Sequence, residues 1–191
     1  MIQCELYLVK SDINKVFDYF KESARGQWGF EFQYTDVNLH LCLPLVSHSV
    51  YTKILLWVPK GHNGTVIFSN RDIYTLIYIL NKTCNFDITG IMLDLDLPGK
   101  DLYLPCYYFQ HWGVDNSFRI VRVMCDPRWV FYEQGESFPF EQTDKYTERI
   151  KKKRLTNDMI KDYVTAMGWN IRDEGFFDSD NEAILITIKG R

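Results

Sequence analysis

Apolar and polar side chains alternate along this chain with two different periods, and the switches between them mark out its elements. Residues 2–9 place Ile2, Cys4, Leu6 and Leu8 on one side and Gln3 and Glu5 on the other, the period-2 pattern of a half-buried strand. Ile13, Val16, Phe17 and Phe20 then recur at i, i+3, i+4 and i+7, which predicts a helix capped by Ser11 or Asp12 and ended by Gly26. Alternation returns from Phe30 to Leu43, with Val37, Leu39, Leu41 and Leu43 against Asn38, His40 and Cys42. Pro44 closes this strand or bent hairpin. The runs Ile54–Val58 and Thr65–Phe68 flank a turn in which Asn63-Gly64 suits the positive φ of a hairpin, so antiparallel pairing is expected. A second helix is predicted from Asp72, with Ile73, Leu76, Ile77 and Leu80 repeating the spacing of the first.

Three strands follow as a meander over 87–97, 102–112 and 117–125, because the connections at 98–101 and 113–116 are too short for parallel crossovers. Ile91, Leu93, Leu95 and Leu97 then point inward and Asp94 and Asp96 outward. After Arg128–Tyr132 a turn at Gly135 leads into a polar, helix-compatible stretch ending in the basic run 149–154. Thr156 caps a third helix with the apolar stripe Met159, Ile160, Tyr163, Val164 and Met167, and Gly168 stops it. Residues 172–182 read as an acidic loop, and Ile184, Ile186 and Ile188 as a last strand paired within a sheet. The expected fold is one α+β domain over 1–191, a largely antiparallel twisted sheet with helices packed on one face. Its halves 1–60 and 61–126 share a β-α-β-β order that raises the question of duplication, and 127–191 adds a helical tail and the final strand.

Composition narrows the class. With 46% hydrophobic and 16% aromatic residues the 191-residue chain can bury a full core without a covalent staple. Lys and Arg number 22 against 25 Asp and Glu, a net charge of -3 that gives no global attraction to nucleic acid or to an anionic membrane. The start lacks a basic segment followed by an apolar one, and no apolar stretch reaches the roughly 18 residues of a membrane span. A cytoplasmic protein is expected. Cys4, Cys42, Cys84, Cys106 and Cys125 are odd in number and never spaced as CxxC, so buried free thiols are expected rather than disulfides or a zinc ribbon.

Candidate chemistry is sparse. There is no P-loop, no GxGxxG after a strand, no GxSxG and no HExxH. His40 and Cys42 share a strand face and would need Cys106 or His111 to complete a metal site, yet those two are five apart and point to opposite sides of a strand. Nothing in the sequence marks a cysteine as an activated nucleophile. Asp94, Asp96 and Asp101 have the types of hard-cation ligands, though on a solvent-facing strand they more often serve solvation. The run 149–154 lacks interleaved aromatics and reads as a solvated face. The acidic segment carries Asp173, Glu174, Asp178, Asp180 and Glu182 around Phe176 and Phe177, combining contact anchors with a charged rim.

The stretch Arg128-Trp129-Val130-Phe131-Tyr132-Glu133-Gln134-Gly135-Glu136-Ser137-Phe138-Pro139-Phe140-Glu141, continuing through Tyr146, Arg149, Arg154-Leu155-Thr156, Tyr163 and Gly168, resembles the closing pattern of a group of small, mostly uncharacterised bacterial proteins, as does the helix entry Ser69-Asn70-Arg71-Asp72. Proteins of this kind are similar to immunity or accessory proteins of bacterial toxin systems, so the resemblance implies a protein-binding, non-catalytic role as an immunity-type inhibitor. The expected partner is a protein, such as a basic toxin domain, met by Asp94, Asp96, Asp101, Asp173, Glu174, Phe176, Phe177, Asp178, Asp180 and Glu182. No catalytic residue, metal ligand or cofactor is assigned, and neither nucleic acid nor membrane is an expected partner. The alternative is a metal-dependent or thiol-dependent enzyme of unknown substrate.

Overall fold

The structure, a computed structural model, describes residues 2–24, 29–35, 49–95, 105–179 and 181–189. They form a mixed α+β protein with three α-helices and nine strands, antiparallel in every pairing described. Two compact units divide the chain, one made of Leu6–Ile88 and Asp173–Arg191, the other of Met1–Glu5 and Thr89–Arg172. Among the described residues no helix is long and apolar enough to cross a membrane.

The first unit holds β1 (Ile2–Val9, from Leu6 onward), α1 (Ile13–Ser23), β2 (Phe30–Thr35), β3 (Thr52–Trp57), β4 (Thr65–Ser69), α2 (Tyr74–Cys84) and β9 (Ala183–Ile188). Its strands lie in the order β2-β9-β3-β4-β1. The last strand is therefore internal, with Ile186 opposite both Phe32 and Ile54. Ile54–Trp57 and Thr65–Phe68 are buried without a break, because both sheet faces are covered there. On the face of Phe30 and Phe32, Phe17 of α1 packs with ring centroids 6.5 and 4.9 Å away. On the opposite face the Trp57 indole N–H donates to the Phe176 carbonyl at 3.0 Å. A continuous apolar run in an antiparallel strand thus records burial on both sides.

Local signals place the helix ends. Asp12 caps α1 by accepting from the Asn14 N–H at 2.9 Å. Asp72 accepts from the Tyr74 N–H at 2.8 Å, so α2 begins at Tyr74 rather than at Asp72 itself. The turn between β3 and β4 also differs from expectation. Its positive φ falls at Gly61 (73°), inside a turn closed by the His62 N–H to the Pro59 carbonyl at 3.0 Å, and not at Asn63-Gly64. Gly26 and the apolar alternation beyond Thr35 lie outside the described residues.

The second unit holds β1 up to Glu5, β5 (Ile88–Leu95, from Thr89), β6 (Cys106–Trp112), β7 (Phe118–Cys125), β8 (Trp129–Gln134) and α3 (Asn157–Ala166). Beyond β1 the order is β5-β6-β7-β8, the expected meander followed by an edge strand. Thr156 caps α3 by accepting from the Met159 N–H at 3.3 Å, and Met159, Ile160, Tyr163 and Val164 are buried. The polar stretch before it forms two 3-10 segments, Thr143–Thr147 and Lys151–Lys153, where a helical continuation was expected. They lack the apolar face that holds a longer helix on a sheet. Phe109 of β6 sits under Phe138, Phe140 and Tyr163 at centroid distances of 6.2, 6.4 and 5.5 Å. Trp129 and Phe131 share a face of β8 and are half-buried.

Candidate functional site

The acidic segment is only partly a loop. Asp173 starts a short 3-10 helix, Glu174–Phe177, by accepting from the Gly175 N–H at 2.7 Å. Phe176 is completely buried against His62 and Phe177, with ring centroids 5.9 and 5.1 Å away, so it anchors the segment to its own unit and is closed to a partner. Phe177 is half-buried. Asp178 lies 3.6 Å from the Lys60 ammonium, a half-exposed pair of little energetic weight. The backbone does more, since the Lys60 N–H donates to the carbonyls of Gly175 and Asp178 at 3.2 and 3.3 Å. Asp173, Glu174 and Glu182 remain exposed.

This tethering places Glu182 in a cleft of about 790 Å³ lined by Asp12, Ile13 and Asn14 at the start of α1, Tyr34 of β2, Val58, His62 and Asn63 after β3, and Asn181, Glu182 and Ile184 around the start of β9. The lining converges because β9 lies between β2 and β3, with Ile184 opposite Tyr34 on one side and Leu56 on the other. Two carboxylates, an imidazole, three carboxamides and a phenol face one volume, and none of the described lining residues is lysine or arginine. Such a lining accepts hydrogen bonds in quantity and favours a cation. Sequence reading found Glu182 but not Asp12, His62 or the asparagines, which come from three separated stretches that only the strand order assembles.

Asp94 of the meander is not among the residues that line this cleft. Asp94 is half-buried in the second unit, where it accepts from the Tyr107 hydroxyl at 2.6 Å. Its backbone N–H and carbonyl are gripped by the Asn157 carboxamide at 2.9 and 3.1 Å. It therefore positions the start of α3 instead of standing free on a solvent face. Asp96, Asp101 and Asp180 lie outside the described residues, as do His40 and Cys42.

Cysteine and histidine chemistry is dispersed. Cys4, Cys84, Cys106 and Cys125 are free thiols, of which only Cys4 is fully buried. Burial pushes the Cys106 thiol up to about 11, with Arg122 pulling it down and Glu5 pushing it further up. A thiol held protonated at neutral pH is a poor nucleophile. His111, on the other face of β6, bonds Thr89 at 3.1 Å and packs its ring edge on Phe138. Among the described residues no three His, Cys, Asp or Glu side chains are grouped to hold a metal ion.

One charged cluster escaped the sequence reading altogether. Arg119, 2% exposed, donates from Nε and Nη2 to the Glu141 carboxylate, from Nη2 to Glu133 at 2.8 Å and from Nη1 to the Gly135 carbonyl at 2.9 Å. Glu141 also accepts from the Phe138 N–H at 2.9 Å and the Tyr146 hydroxyl at 2.7 Å, and Tyr146 bonds Tyr163 at 3.1 Å. Burial and these bonds raise the Tyr146 phenol far above its ordinary value. Every member is satisfied, so the cluster is architecture: it joins the Gly135–Glu141 turn, the first 3-10 segment and α3. No protein-family model, curated protein or solved structure matches the chain.

Proposed function

We propose that this is a non-catalytic binding protein whose acidic cleft receives a basic side chain of a partner protein, in the manner of an immunity-type inhibitor facing a basic toxin surface. The observation that supports this is the lining itself, with Asp12 and Glu182 on one concave volume and no lysine or arginine among its described residues. An arginine guanidinium offers five donors in a fixed fork, which suits the carboxylates of Asp12 and Glu182 and the carboxamide oxygens of Asn14, Asn63 and Asn181. The exposed carboxylates of Asp173 and Glu174 add negative field on the same unit and favour encounter with a cationic surface.

The test is a titration with a capped Gly-Arg-Gly peptide and its Gly-Glu-Gly counterpart, followed by amide shifts of residues lining the cleft. Asp12→Asn with Glu182→Gln removes both charges while keeping a competent cap on α1. Saturable, salt-weakened binding of the arginine peptide that disappears in the double variant is expected. Equal response to both peptides, or binding indifferent to the double variant, would refute the cleft as a cation site.

A further inference from the structure

Strand β8 stands at the end of its sheet. It pairs with β7 along one side, from Ile120↔Gln134 to Cys125↔Trp129, and among the described residues no strand pairs with its other side. An open edge of this kind presents a row of backbone donors and acceptors to any extended chain. Val130 and Tyr132, on the face away from the 3-10 segments, are 46% and 43% exposed. On the opposite face Phe131 is covered by Tyr146 and by the Arg154 guanidinium, each 5.3 Å away, and the segment Lys151–Lys153 packs over β8 and β7 with all three lysines exposed. Arg128 precedes the strand and is exposed as well. The one carboxylate projecting from β8, Glu133, is committed to Arg119 at 2.8 Å.

We propose that the β8 edge is a docking site for an extended acidic segment of another protein, added as a further strand beside β8. Its side chains must alternate. Those on the Phe131 side meet Lys151, Lys152 and Lys153 and are Asp or Glu, while those on the other side lie beside Val130 and Tyr132 and are apolar. Backbone bonding supplies the attachment at the usual strand spacing of about 4.8 Å. The alternating side chains supply the selection. A second copy of this chain is a poorer occupant, because antiparallel β8–β8 pairing would bring two lysine runs toward each other. The β8 edge belongs to the unit that does not carry the acidic cleft.

The probe is a fluorescein-labelled peptide alternating Glu and Val over six residues, titrated against the full chain, with hydrogen exchange read at the amides of 129–134. Controls are the same peptide with Lys for Glu and one with Pro at its centre, which removes a ladder donor. Binding of the Glu/Val peptide with slowed exchange along β8, weakened at least about tenfold by the Lys or Pro peptide and by K151E/K152E, is expected. The two lysines are exposed, so an unchanged thermal transition shows that the variant is folded. Three results overturn the proposal. Binding without protection of β8 would mark simple charge attraction. Concentration-dependent protection without peptide would make the occupant a second copy. No binding at about 1 mM would mean that the lysines guard the edge against added strands.

Discussion

The Arg119 guanidinium and the Glu141 carboxylate meet at 2.7 Å with side-chain exposures of 3% and 0%, an ion pair sealed between β7 and the turn that follows β8. Burial alone lowers the arginine's proton affinity, and the bonds to Glu141 and Glu133 reverse this, raising it above its ordinary value. Arg119→Met leaves a buried carboxylate without its cation and should cost about 3–5 kcal/mol. The double variant R119M/E141M, which removes both charges, should recover much of that loss. Urea midpoints across the cycle check this, and equal losses in the single and double variants would contradict the pairing.

Gly135 and Gly168 separate two causes of glycine dependence. Both have positive φ, 88° and 94°, but a Cβ on Gly135 would lie 1.9 Å from the Phe118 carbonyl, whereas one on Gly168 meets nothing within 4 Å. Gly168→Ala should therefore cost only the left-handed backbone penalty, about 1–2 kcal/mol. Gly135→Ala should cost distinctly more, since the turn must also move away from β7. Similar thermal shifts in the two variants would contradict this account.

Trp57 fixes the 3-10 helix at 174–177 through its indole N–H, bonded to the Phe176 carbonyl inside the core. Trp57→Phe keeps an aromatic ring but strands a buried acceptor, with an expected cost of about 1–3 kcal/mol. Because the same segment carries Glu182 toward the cleft, faster hydrogen exchange at residues 175–178 should accompany the loss. A loss of stability with exchange there unchanged would place the effect elsewhere.

Stability should fall on the alkaline side. Cys106 is raised from 9.0 to about 11 by burial, and Tyr146 and Tyr163 are raised, first by burial. The folded chain thus keeps protons that the unfolded chain releases, so this contribution is full below pH 9 and is lost as pH rises toward 11 and beyond. Urea midpoints measured from pH 8 to 11 should decline, and less steeply in Cys106→Ala. A flat profile, or one identical in the variant, would count against the assigned burial.

By itself the sequence determined the local elements. Period-2 and period-3.6 apolar patterns located the meander, the three helices and the closing strand, because side-chain burial acts on neighbours along the chain. Caps at Asp12 and Thr156 and the stop at Gly168 were legible for the same reason, each being a contact within a few residues. The 3-10 breaks in 142–154 were not, since a polar stretch carries no periodic burial signal. Only the tertiary structure decided that β9 enters between β2 and β3, since pairing across some 150 residues leaves no mark in local pattern. That single insertion gathers Asp12, Tyr34, His62 and Glu182 around one cleft. Likewise, no local pattern marks Arg119 and Glu141 as a buried pair, because a charge can be buried only where its partner arrives from elsewhere in the chain.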